Sequence, residues 1–317
     1  MKAAWLVSLP LAALTTACMV GDAGSGDDGD GEPVPATGEL QGRITGDQTW
    51  SGPIKLIGNV TIEPGATVTV DAGTALEAKA GVTLRVKGTL RVNGTAAAKV
   101  TMLPTMDATT WAGIVADAGA TVDLTYTEGS DVATLVYCHA GATCNLDRID
   151  FTGLGQAIVV EGTATLTRSR VSNMVNGGVS VMNGDLTITD STVLGSSGDT
   201  VVQNGGALVI DHSELGEAQG QVDHCVLHIG SAQTLRITRS IIRDGVYGMM
   251  LGGTTGAVMQ YNNWVGNDPA QDISLVGTNT AADLRYNYWD KGAPDLGAGY
   301  DASSPSATRI ADAGPRP

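Results

Sequence analysis

The stretch LTITDSTVLGSS, Leu186 to Ser197, alternates apolar and polar residues up to Ile188 and then breaks into Asp, Ser and Gly. Period-two alternation over a few residues, bounded by turn formers, is the pattern of a half-buried strand and its turn. Near copies recur as LTRSRVSNM from Leu166, LVIDHSELGEA from Leu208 and LRITRSIIRDG from Leu235. With Thr127, Ile149, Ser169, Ser191, Ser213, Ser240, Asn262 and Asn287 as anchors, the separations are 22, 20, 22, 22, 27, 22 and 25 residues. Three positions before them stand Leu124, Leu146, Leu166, Ile188, Ile210, Ile237, Met259 and Leu284, and two further back Val122, Cys144, Ala164, Leu186, Leu208, Leu235, Ala257 and Ala282. Two positions after the anchors come Gly129, Phe151, Val171, Val193, Leu215, Ile242, Trp264 and Trp289.

A period near 22 with several short strands per repeat marks a solenoid, because one coil cannot cover its own apolar face and must stack on its neighbours. The leucine-rich horseshoe shares the period, but its Leu and Asn consensus and its helical segments are absent. What remains is a parallel β-helix with equivalent residues about 4.8 Å apart up the coil. Composition agrees: 43 Gly and a single Phe among 317 residues favour tight turns and small or β-branched packing. A net charge of −15 repels nucleic acid and anionic membrane surfaces, so no nucleic-acid partner is expected.

The N-terminus reads as an address. MKAAWLVSLPLAALTTAC has one Lys, an apolar run from Ala3 to Leu14 and small residues before Cys18. It resembles a bacterial lipoprotein signal, although Thr15 stands where that pattern has Leu. The resemblance implies a signal peptide over 1–17 and lipidation of Cys18. A plain secretory signal is the alternative. Residues 18–38 continue with Asp22, Asp27, Asp28, Asp30 and Glu32, no bases and many Gly, a composition that buries little and reads as a self-repelling tether.

GNVTIEPGATVTVDAGTALEAKAGVTLRVKGTLRVNGTAAAKVTMLP from Gly58, WAGI at Trp111, YNNWVG at Tyr261 and YNYWDKGAP at Tyr286 resemble right-handed parallel β-helix repeat proteins of the pectin-lyase-like kind. The resemblance implies an all-β, single-stranded right-handed parallel β-helix from about residue 40 to 295. Residues 39–110 would form the N-terminal cap and first coils, 111–297 the repeat coils and 298–317 a tail. Function does not follow, since this architecture carries lyases, hydrolases, adhesins and inert spacers alike.

Exposed columns carry the candidate chemistry. The position before each anchor reads Tyr126, Arg148, Arg168, Asp190, His212, Arg239, Tyr261 and Tyr286. Asp190, Asp211 and His212, with Glu214 beside them and Arg168 and Arg239 flanking, offer carboxylates for acid–base work on an anionic sugar. The competing account is an ion-pair ladder in which Arg168, Asp190, His212 and Arg239 alternate, which needs no catalysis. Asp147 and Asp211 lie three rungs apart, about 14 Å, beyond the roughly 5–9.5 Å of a glycosidase pair. Tyr261 and Tyr286 present rings on which a sugar would stack, whereas Trp264 and Trp289 fall in an inward column that closes the end of the core.

In HCVLH, His224 to His228, two His residues on an extended strand stand about 13 Å apart, too far to share one ion unless the chain bends, so no metal and no cofactor is expected. CHAGATC admits either a Cys138–Cys144 disulfide or a buried thiol at Cys144. The residues support a non-catalytic, lipid-anchored element of the bacterial envelope, with the outer membrane as the expected location, that contacts polysaccharide or envelope matrix. A secreted chain is the alternative location, and a polysaccharide lyase or hydrolase the alternative function. With lipid on Cys18, the mature chain partitions into the detergent phase and Cys18→Ser moves it to the aqueous phase; partitioning that survives the substitution would contradict the anchor.

Overall fold

Short alternating runs separated by Gly, Asn and Asp make strands, and among the described residues every regular element is a strand and none is a helix. This computed structural model describes residues 36–218, 224–267, 272–276 and 281–317. The leader over 1–17, Cys18 and most of the tether lie outside the described residues. The remainder, within the unit Pro33–Pro317, is a parallel β-solenoid of about 11 turns.

One coil shows the plan. Strands Asp185–Thr189, Thr192–Ser196 and Val201–Asn204 occupy three sheets, and each pairs in parallel with the corresponding strand of the coils before and after. In the first sheet the register runs Leu146↔Leu166↔Ile188↔Ile210↔Ile237↔Met259, so the repeated apolar residues stack although the coils differ in length. All six are 0–1 % exposed. Stacking like on like buries a continuous aliphatic column, each Leu or Ile contributing about 1.5–3 kcal/mol relative to exposure. Trp264 and Trp289 stack inside the last coils with ring centroids 5.2 Å apart and planes at 15°.

The corner between the first and second sheets is sharp. Tyr126, Arg148, Arg168, Asp190, His212, Arg239, Tyr261 and Tyr286 all sit there in the left-handed region, with φ between 44° and 66°. A non-glycine residue in that region costs on the order of 1 kcal/mol or more, so something must hold each one. The next coil does so. The N–H groups of Arg148, Arg168, Asp190 and His212 donate to the carbonyls of Thr167, Thr189, Asp211 and Thr238 at 2.9–3.2 Å.

The anchor that follows each corner points inward, and from Ile149 to Asn262 its N–H donates to the side-chain oxygen of the next coil's anchor. The chain of bonds runs Ile149 to Ser169 Oγ, Ser169 to Ser191 Oγ, Ser191 to Ser213 Oγ, Ser213 to Ser240 Oγ, Ser240 to Asn262 Oδ1 and Asn262 to Asn287 Oδ1, at 2.7–3.2 Å. The Ser hydroxyls in turn donate to backbone carbonyls, as Ser191 does to Thr189 at 2.8 Å. Buried amides are thereby satisfied without a strand partner.

Removing one rung of this ladder orphans a buried N–H. Ser191→Ala is expected to lower the unfolding free energy by about 1–3 kcal/mol in denaturant titration, while the outward-facing Thr187→Ala changes it by less than about 0.5 kcal/mol. Equal small effects would mean that the ladder adds nothing to stability.

Candidate functional site

The charged patch occupies the left-handed corner, whose geometry turns side chains outward in a file. Its charges do not pair down that file as an alternating ladder. Asp147 takes Arg148 at 2.6 Å and Arg168 at 2.6 Å. Asp211 accepts from Thr238 Oγ1 at 2.5 Å and meets His212 Nδ1 at 2.7 Å. Asp190 takes its partner from the far end of the chain: Arg316 reaches it through Nε at 2.7 Å and the terminal nitrogen Nη2 at 2.9 Å.

That contact belongs to a strap. Residues after 298 first add a strand, Tyr300–Asp301, to the first sheet beside Ala281–Asp283. The chain then runs back down the outside of the solenoid. Ser306 N–H donates to the Asn287 carbonyl at 2.8 Å, and Ile310 exchanges two hydrogen bonds with the Asn263 amide, at 2.8 and 3.0 Å. Gly314 N–H donates to the Arg239 carbonyl at 2.8 Å. Gly314 has φ +112°, and a Cβ there would come within 2.9 Å of Ile241 Cδ1, so Gly suits both the backbone and the close fit. Asp312 lies 3.5 Å from both His212 Nε2 and Arg239 Nε. The His212 side chain is left 7 % exposed.

Electrostatics follow from these contacts. The Arg316 guanidinium holds the Asp190 carboxyl below its ordinary range, against partial burial. At Asp211 burial opposes ionisation, but the hydrogen bonds from Thr238 and His212 outweigh it and the net shift is again downward. A general acid at neutral pH needs a carboxyl pushed up, so both acids of the patch are tuned away from that role. Asp272, the carboxyl that burial pushes upward, is 4 % exposed beneath Asn267 and lies outside the patch. Two surface clefts have clear linings, and neither includes Asp190, Asp211 or His212.

The aromatic candidates are engaged as well. Tyr261 and Tyr286 stack on each other with centroids 5.1 Å apart, Arg239 sits over the Tyr261 ring at 5.6 Å and Arg285 over the Tyr286 ring at 5.5 Å. Cys138 and Cys144, for which sequence left a bridge and a buried thiol both open, are free and fully buried here. Their mutual hydrogen bond pushes Cys144 up and Cys138 down.

The HCVLH segment differs from the extended reading. His224 precedes the strand Cys225–Ala232 and His228 lies within it, and both His rings reach one carboxylate. Asp199 Oδ2 is 3.1 Å from His228 Nδ1, and Oδ1 is 3.5 Å from His224 Nδ1, 3.2 Å from Cys225 Sγ and 2.8 Å from the Cys225 N–H. Asp199 was not singled out in the sequence. It stands in the turn before Val201 of the preceding coil, and only the coil register brings it under the HCVLH segment.

No family model matches this chain, and no curated protein and no solved structure matches it.

Arg316→Ala should release the strap from Asp190 and bring that carboxyl back up toward its ordinary value. The folded-state shift is downward, so the stability it supplies is present above the unfolded carboxyl range and is lost as pH falls through the folded value. Unfolding midpoints of wild type and Arg316→Ala should therefore differ at pH 7 and converge toward pH 2–3. A difference that is the same at both ends would place the contribution elsewhere.

Proposed function

We propose that this chain is a non-catalytic, surface-anchored β-solenoid of the bacterial envelope, a lipoprotein related to the pectin-lyase-like repeat proteins, serving as a structural or adhesive element. One observation carries this reading: the protein's own C-terminal strap occupies the corner where acid–base chemistry would have to take place. Its Asp312 and Arg316 make the contacts with His212 and Asp190 that an anionic sugar would otherwise compete for. The downward shift of both carboxyls disfavours either as a general acid. The Tyr261 and Tyr286 rings, engaged with each other and with Arg239 and Arg285, favour matrix contact through other faces of the rod over stacking on these two rings. The acidic tether and the Cys18 leader supply the attachment.

Incubated with a panel of neutral and uronic-acid polysaccharides, the purified chain is expected to release neither reducing ends nor unsaturated sugar. Arg316→Ala, which loosens the strap, should be equally inert. Product formation by either protein that disappears on Asp211→Asn would establish the lyase or hydrolase instead.

A further inference from the structure

The first sheet and its corner repeat with little variation, but one coil is longer than its neighbours. The register is 22 residues at Ser196↔Ala218 and 26 at Val201↔Leu227, so four residues enter between Ala218 and Leu227. The insertion ends at His224 and Cys225, directly against Asp199 of the coil below. We propose that Asp199, Cys225 and His228 form a binding site for one divalent transition-metal ion of the zinc class.

The donor set and its spacing carry this. Oxygen, sulfur and nitrogen atoms of Asp199, Cys225 and His228 all lie within 4.8 Å of one another. A tetrahedral zinc ion with bonds of about 2.0–2.3 Å holds its ligands roughly 3.2–3.8 Å apart, so small side-chain rotations suffice. His224 Nδ1 lies 3.5 Å from Asp199 Oδ1 but stands outside this mutually close group, so the fourth position falls to water. Carboxylate, thiolate and neutral imidazole are ligands that zinc accepts together.

Charge balance points the same way. A carboxylate and a thiolate neutralise a dication, which suits a site whose floor, Cys225, is 0 % exposed. On binding, the Cys225 thiol gives its proton to solvent and the sulfur takes the metal, while His228 binds as a neutral imidazole through Nδ1 with its one N–H on Nε2. The two His side chains, each 38 % exposed, leave a path from solvent. The Cys225 N–H on Oδ1 orients the carboxylate from outside the ligand set, and the Asp199 carbonyl is fixed by Gly178 N–H at 3.1 Å and Ser196 Oγ at 3.2 Å. The metal would clip the two coils together where the insertion enters. This site is independent of the structural role proposed above.

Cobalt(II) is the probe, since a thiolate ligand gives it an intense near-ultraviolet charge-transfer band. Titrated into the full chain under reducing conditions, cobalt should bind one equivalent with that band and be displaced by zinc, and zinc should raise the thermal midpoint. Cys225→Ser should abolish the band, and His228→Ala should weaken cobalt binding on the order of a hundredfold. His228 is half-exposed, so its variant keeps the test alive if Cys225→Ser fails to fold. Absence of the band in wild type, its survival in folded Cys225→Ser, or unchanged affinity in His228→Ala would each overturn the site.

Discussion

Turning a strand through a tight inward corner leaves amides that no sheet can pair, and this constraint governs the whole solenoid. The solution is repeated in the coils from Ser169 to Asn287: a residue in the left-handed region, then a buried Ser or Asn whose oxygen accepts from the anchor amide one coil earlier. The polar atom sits inside an otherwise aliphatic interior because desolvating an unpaired amide there costs more than burying one small hydroxyl that is fully hydrogen-bonded. Where coil length varies, as between Ser213 and Ser240, the corner bonds are kept at 3.1 Å and the extra residues are pushed elsewhere.

The same corner explains why its outer face is charged and aromatic. Left-handed residues direct their side chains outward at about one coil spacing, close enough for stacking, cation–π contact and ion pairing. Tyr126 under Arg148, Tyr261 on Tyr286 and Arg239 over Tyr261 all arise this way. The strap uses that file as a docking rail: its amides bond to solenoid carbonyls, Asp312 meets His212 and Arg239, and Arg316 meets Asp190.

Nearly all of the fold was legible in the sequence, because a solenoid writes each inward position once per coil and the columns reinforce one another. Leu166, Ile188, Ile210 and Ile237 fall in register as their spacing required. The inward anchors were identifiable as a column, but their hydrogen bonds were not, since Ser reads as a surface residue until its neighbours one coil away are placed. The strap escaped because ADAGPRP has no periodicity, and its partners, such as Asp190, lie 126 residues away. Asp199 escaped for a similar reason: the distance between it and His228 depends on how an irregular insertion bends, which no repeat encodes.

The anchor ladder has a direction. Each corner amide is completed by an oxygen supplied later in the chain, so a coil leaving the ribosome carries an open amide until its successor, some 20–27 residues on, arrives to close it. Growth of the rod is thereby vectorial, like addition to one face of a one-dimensional crystal, with short loops to close at every step and correspondingly little entropy to lose. Asn287 turns its amide nitrogen back onto the carbonyls of Met259 and Leu284, and so ends the series that the earlier coils began.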